Sequence, residues 1–345
     1  MLAPTPTGTR CHCGRVVLNK NSYFGRFMKK SPVNNVLKGL AMGMAEVVPG
    51  VSGGTIAFIT GIYERLINAI KSISSLPVGV LKREGLKGLW KYIDGNFLLT
   101  LGIGMIIGVL IGVFGISYLL EKYPPLIWGF FFGLIIGSAF YIGRQVQTWT
   151  FREVIFLIIG ITVAYLITIM SPAEGTEHLL FVFIAGAIAI SALILPGISG
   201  SFILLLMGMY TLILHTVKDM LSHQTPHSVL ITSVFILGCL TGLFLFSNVL
   251  SWTFKNYRYT TLALLTGFMI GSLNRIWPWR NPSLWLDESS GLQVSILPST
   301  EQTDDFHLLQ ETNVLPAMYE GNPMIWGTLI CTIFGLVIVF LFDRK

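Results

Sequence analysis

Two short segments of this 345-residue chain carry the residue types that hold an anion without a cofactor: Pro49-Gly50-Val51-Ser52-Gly53-Gly54-Thr55 and Pro196-Gly197-Ile198-Ser199-Gly200-Ser201. Proline withholds an N–H and drives the residue before it out of helical geometry, and glycine permits the sharp turn that follows. A helix that restarts at Ser52 or Ser199 presents unpaired N–H groups and the positive end of its dipole. With hydroxyls at Ser52, Thr55, Ser199 and Ser201, and close backbone approach at Gly53, Gly54 and Gly200, that arrangement suits a phosphate. The same pattern also fits a purely structural use, in which serine caps its own helix and small residues let two helices touch. Glu46, three residues before the first Pro-Gly pair, is the one acid deep in an apolar segment, and its counterpart in the second is Leu193. A carboxylate there is a candidate for proton coupling, for accepting N–H bonds from the opposite tip, or for capping a helix end. Arg65 and Lys38 flank the first segment and either draw an anionic headgroup toward it or snorkel to the interface. Arg275 and Arg280 are the corresponding candidates on the far side, beside tryptophans that read as an interfacial belt.

The elements that position these residues follow from the apolar runs. Residues 35–48 and 52–70 flank the first Pro-Gly pair, and 179–195 and 199–217 flank the second. Each Pro-Gly pair ends one short helix and lets another begin, which makes either a re-entrant hairpin or a broken span; residues 35–48 are too short to cross alone, so each pair reads as a re-entrant hairpin, with irregular backbone tolerated only where protein or a cavity surrounds it. Spans are predicted at 97–120, 126–143, 154–170, 229–254, 260–274 and 324–342. The two hairpins lie 147 residues apart, and at the same spacing Gly61-Ile62-Tyr63 matches Gly208-Met209-Tyr210. Downstream, Gly133-Leu134-Ile135-Ile136-Gly137-Ser138 resembles Gly267-Phe268-Met269-Ile270-Gly271-Ser272. The chain therefore divides into a basic tail (1–34), a first membrane repeat (35–170, hairpin 35–70) and a second (179–342, hairpin 179–217, acidic loop 277–323). The fold class is all-α and polytopic. An odd number of spans per repeat inverts the second relative to the first, a recurrent transporter plan with the site where the breaks meet.

Composition agrees. Hydrophobic residues make up 53% and charged residues 12%, with mean hydropathy +0.70; a soluble domain carries about 25% charged residues. With the hairpins returning to their own side, nineteen of the 23 Lys and Arg fall on one face. The other face holds Lys122, Lys218, Arg275 and Arg280 together with most of the acids, including the loop 277–323. By the positive-inside rule both termini are cytoplasmic and the acidic loop is extracytoplasmic. The net charge of +6 thus reports orientation and implies no nucleic acid. Cys11-His12-Cys13 offers too few ligands for a structural zinc, and no metal or cofactor is implied. No phosphate-binding GxxxxGK[ST] loop or acidic metal cluster is present, and although Gly50-Val51-Ser52-Gly53-Gly54 has the GxSxG spacing no nucleophile with its base is evident, which argues against a pump acting alone or an enzyme. A lipid-phosphate transporter and a transporter or channel for a small inorganic anion both fit these residues, and a non-transporting scaffold is a third reading.

Gly43-Met44-Ala45-Glu46-Val47-Val48-Pro49-Gly50-Val51-Ser52-Gly53-Gly54-Thr55, with Gly61 to Leu66, resembles the first signature of a bacterial membrane family. Leu195 to Ser201, with Gly208-Met209-Tyr210, resembles its second. The family is the PopT-type undecaprenyl-phosphate translocases, and the resemblance runs from about residue 35 to the C-terminus. It implies a multi-pass protein of the bacterial cytoplasmic membrane whose partner is undecaprenyl phosphate. This carrier lipid would be returned from the outer to the inner leaflet for cell-envelope synthesis. The resemblance carries nothing over to residues 1–34 or to the acidic loop, and it leaves the oligomeric state open.

Overall fold

The computed structural model describes residues 32–48, 50–74, 78–173, 175–222, 225–287, 293–294 and 306–343. The basic tail with Cys11-His12-Cys13, and Pro49 itself, lie outside the described residues. The first half runs α1 (Pro32–Glu46), α2 (Gly53–Ile59), α3 (Tyr63–Ser74), α4 (Val78–Tyr92) and α5 (Gly95–Ile111). A π-helical turn, Gly112–Ile116, leads into α6 (Ser117–Lys122), followed by α7 (Pro124–Gly143) and α8 (Phe151–Ile169). The second half runs α9 (Leu179–Ile194), α10 (Gly200–Leu206), α11 (Tyr210–Ser222), α12 (Pro226–Asn256), α13 (Arg258–Ser272) and α14 (Ile325–Asp343).

Among the described residues four helices are long and apolar enough to cross a membrane: Gly95–Lys122, Pro124–Gly143, Phe151–Ile169 and Pro226–Asn256. α10 and α11 together pass the same test but are bent by 108°. Two of the six expected spans are short, since α13 has 15 residues and the apolar stretch of α14 is Ile325–Leu341. Ile106, Phe114 and Leu245 turn outward with more than half of their surface bare, as lipid-facing side chains do. The protein is a multi-pass helical membrane protein.

The two broken regions share one backbone course. Gly50 and Gly197 have φ of +86° and +85°, and Gly61 and Gly208 have +70° and +66°, values that L side chains rarely adopt. In each half a seven-residue helix stands between these two bends. In the first half α1 lies along α5, and in the second α9 lies along α12. Glycines set the closeness: a Cβ on Gly39 or Gly43 would strike the Leu101 or Met105 carbonyl, and one on Gly104 or Gly108 would strike the Val36 or Leu40 carbonyl. This is reciprocal small-residue packing. The remaining helices exchange partners between halves, with α7 packed on α14 and α8 on α13. There Gly160 of α8 and Gly267 of α13 face each other backbone to backbone.

The loop after α13 departs from the all-helical expectation. It forms an antiparallel three-stranded sheet of β1 (Arg280–Asp287), β2 (Gln293–Val294) and β3 (Phe306–Asn313), in the order β2-β1-β3. The β1–β3 register shifts between Pro282 and Leu284, where proline can give no ladder N–H. Trp277 and Trp279 donate their indole N–H groups to the Val314 and Pro323 carbonyls. They tie the two ends of this loop together.

Candidate functional site

The hairpin tips meet, and the contact follows from what helix ends lack. α9 ends with unpaired carbonyls. Ser52 Oγ donates to the Leu193 carbonyl at 3.1 Å and the Tyr63 hydroxyl donates to the Ile194 carbonyl at 3.2 Å, both across the tip interface. Thr55 Oγ1 accepts the Gly197 N–H at 3.2 Å. Ser52 also caps its own helix by accepting the Gly54 N–H at 3.0 Å. Glu46 Oε1 takes the Gly53 N–H at 2.7 Å. The carboxylate thus serves its own tip and not the opposite one. In this conformation the donors of Gly53 and Gly54 are engaged within the protein.

Ser52→Ala is therefore expected to act first on stability, since a lost cap and a lost tip contact cost about 1–2 kcal/mol. The check is thermal unfolding in detergent, which should shift down while headgroup affinity of the folded protein stays unchanged. Lost affinity at an unchanged melting temperature would instead make Ser52 a ligand contact.

Beside the tips lies a cavity of about 870 Å³, lined among others by Glu46, Ser201, Tyr210, Trp128, Arg275 and Arg280. Val113 of the π-helical turn, Leu120, Phe202 and Leu205 give it an apolar wall. One side is formed by the start and the end of the sheet-bearing loop, through Pro278, Pro282, Glu311 and Tyr319. Arg275 and Arg280 are largely withdrawn from solvent, with side chains 15% and 4% exposed. Glu311 Oε2 is 2.8 Å from Arg280 Nη1 and 3.6 Å from Arg275 Nη1. Arg280 Nη1 also donates to the Arg275 carbonyl at 2.8 Å. The guanidiniums lie over aromatic rings, Arg280 3.9 Å from the centre of Trp128 and Arg275 4.7 Å from that of Phe202, favourable cation–π geometry. The Nε–H of each arginine is buried without a partner. Burial pushes the Arg280 pKa down to about 10, against the pull of Glu311 upward, so it remains a cation at neutral pH. Arg275 also borders a void of about 10 Å³ with Gly50, Gly197 and Ser199, so its side chain lies beside both tips.

The other predicted residues are placed as follows. Ser199 is buried and shares a hydrogen bond of 2.9 Å with Ser201, which reaches the cavity. Gly200 packs against the Ala189 carbonyl, and Thr55 is fully buried. Arg65 makes a two-pronged ion pair with Asp94 at 2.6 and 3.0 Å and is absent from the cavity lining. Lys38 donates to the Thr60 carbonyl at 2.7 Å, closing the end of α2. Tyr63 is buried against Phe58 and Phe254, whereas Tyr210 faces the cavity. At the opposite end from the sheet, α3 and α12 are joined by polar contacts. Ser251 Oγ donates to Asn68 Oδ1 at 2.9 Å and accepts from Lys71 Nζ at 3.2 Å, and Asn248 donates to Ser74 Oγ at 2.9 Å. Arg258, at the start of α13, pairs with Glu64 at 2.7 Å. By the repeat, the counterpart of the α3–α12 contact is α11 on α5. Among the described residues those two helices share no substantial packing, and the cavity lies between their halves. Sequence reasoning singled out the arginines only as recruiting charges. The signal for more was two basic residues five apart at the mouth of an otherwise acidic loop.

Two broken hairpins meeting tip to tip, beside a cavity that sets Arg275 and Arg280 against Glu46, Glu311, Glu320 and an apolar wall, fit the plan of a membrane transporter. The chain belongs to the VCA0040-like, undecaprenyl phosphate translocase-like family, whose model matches residues 42–294. It is 46% identical over 277 residues to a polyprenyl-phosphate transporter of Vibrio cholerae serotype O1, covering 80% of this chain and 88% of that protein. It is 33% identical over 258 residues to a polyprenyl-phosphate transporter of Staphylococcus aureus, covering 71% and 86%. No solved structure matches it.

Proposed function

We propose that the protein is a transporter, and not an enzyme, that moves undecaprenyl phosphate across the bacterial cytoplasmic membrane from the outer to the inner leaflet, returning the carrier for cell-envelope synthesis. The observation that carries this reading is the pairing of Arg275 and Arg280 with an apolar wall in one cavity. A phosphate monoester needs the first, and an isoprenoid tail needs the second. The names of the family and of both relatives support the same substrate class. The bias of Lys and Arg supports an orientation with both termini cytoplasmic and the sheet outside, so that the cavity opens toward the outer leaflet. The repeats are inverted on this reading. Their units are 35–170 and 179–342, and the polar α3–α12 contact closes the inner end while the α5–α11 side stands open. The headgroup enters between Arg275, Arg280 and Ser201 and passes the tips at Ser199, Gly200, Gly53, Gly54 and Thr55 as the halves rock. Glu46, at the junction of cavity and tip, carries the coupling proton.

The test uses the purified protein in liposomes with labelled undecaprenyl phosphate in one leaflet, with and without a pH gradient. Wild-type protein is expected to move the lipid faster than protein-free liposomes. Glu46→Gln should retain fold and headgroup binding, lose the response to the gradient, and slow turnover at least about tenfold, the scale of a lost proton-transfer group. A Glu46→Gln protein that responds to the gradient like wild type would remove the coupling role. Sulfate or chloride flux without lipid movement would replace the substrate class.

A further inference from the structure

The ion triad at the cavity has a feature that headgroup binding alone does not require. One carboxylate oxygen, Glu311 Oε2, serves both guanidiniums, at 2.8 and 3.6 Å, in the place a phosphate oxygen would take. Carboxylate and phosphate are the two groups that the guanidinium fork accepts in parallel, two-pronged geometry. Within the triad two cations face one anion, with Glu46 and Glu320 elsewhere on the cavity lining, and both Nε–H donors remain buried without a partner. A phosphate monoester carries about −1.5 to −2 at pH 7 and three acceptor oxygens, enough to neutralise both arginines and reach the idle donors. Glu311 itself sits on β3 opposite Pro282, beside the irregularity in the β1–β3 ladder. Proline gives no N–H there, so the strand is weakly held where the carboxylate projects.

We propose that Glu311 is a tethered occupant of the anion site: it holds Arg275 and Arg280 while the cavity is empty, and an incoming phosphomonoester displaces it, releasing β3 from the cavity wall. The inference rests on the reading of this cavity as the headgroup site. It adds that arrival of the headgroup is felt by the sheet. The tethered acid also keeps the two arginines from trapping a weakly held anion, because any ligand must outcompete a carboxylate already in place.

The experiment measures binding of farnesyl phosphate and, separately, of inorganic phosphate to the full chain in detergent. Glu311→Gln removes the competing charge and keeps the shape, so affinity for farnesyl phosphate is expected to rise about tenfold, the scale of one charge-assisted hydrogen bond. If Glu311 only braces the arginines, the variant binds equally or more weakly, and the proposal is overturned. A second measurement needs no variant. Amide hydrogen exchange of β3 in the wild-type protein should quicken when farnesyl phosphate is added, and unchanged or slower exchange would overturn displacement even where Glu311→Gln does not fold. The two readings fail separately. Tighter inorganic phosphate with no farnesyl phosphate binding leaves displacement standing and removes the lipid. Farnesyl phosphate binding that Arg280→Gln abolishes but Glu311→Gln leaves unchanged keeps the lipid and removes displacement.

Discussion

Replacing Arg280 with glutamine is expected to weaken binding of polyprenyl phosphate by about 100- to 1,000-fold, since losing one partner of a buried, hydrogen-bonded charge pair costs roughly 3–4 kcal/mol. Translocation should fall to the rate of protein-free liposomes. The effect is large because nothing nearby replaces the charge. Lys122 and Lys218 are absent from the cavity lining, and Arg275 is already engaged over the Phe202 ring beside the hairpin tips. Arg280→Lys distinguishes charge from shape. It keeps the cation but loses the planar fork and the stacking on Trp128, so an intermediate loss is expected. Thermal unfolding of each variant separates binding from folding, because Arg280 also pairs with Glu311 across the sheet. Binding of Arg280→Gln at wild-type strength would remove the cavity as the headgroup site.

The second large effect concerns the closed end. Asn68→Cys combined with Ser251→Cys, in a chain whose native cysteines are serine, should stop lipid movement when the pair is oxidised and restore it on reduction. Headgroup binding from the sheet side should persist throughout. The reasoning starts from the chemistry of that interface. Most helix contacts in this protein are glycine against backbone carbonyl, close and apolar, and separating them would bare backbone to lipid. The α3–α12 contact instead carries hydrogen bonds among Asn68, Lys71, Ser74, Asn248 and Ser251, with the Glu64–Arg258 ion pair beside it and a ring contact, Tyr63 on Phe254, at its inner edge. Groups of that kind exchange protein partners for water at little net cost. A gate that opens to water is built this way, and a permanent seam is not. Lipid movement in the oxidised protein at the wild-type rate would show that α3 and α12 stay together through the cycle.

How far the fold was legible depended on whether its cause was local. The breaks at Gly50 and Gly197 and the second bends at Gly61 and Gly208 could be read from residue type, because positive φ is a property of single residues. The long spans could be read from uninterrupted apolar runs. The sheet could not, since strands β1 and β3 are separated by a long connection and β1 contains Pro282, a residue that argues against a central strand. With the sheet unseen, the meeting of Arg275 and Arg280 with Glu311 was unseen as well, because only strand pairing brings them together. Ser52 shows the same limit at the site. Its position at a helix start was evident, but its second partner is the Leu193 carbonyl, 141 residues away, and only the meeting of the tips determines that the hydroxyl is already occupied. Arg65 reads in sequence as a recruiting or a snorkelling cation because its partner Asp94 lies 29 residues on, at the left-handed turn that opens α5.

The exchange of partners between halves bears on how the protein is made. α7 and α8 leave the ribosome well before the helices they pack against, α14 and α13. Until those follow, the glycine faces at Gly133 and Gly160, shaped for the backbone near Thr332 and Leu264, have only lipid or the insertion machinery beside them. That packing therefore follows insertion, and a chain interrupted before the 19 residues of α14 exposes an unmatched surface in the first half.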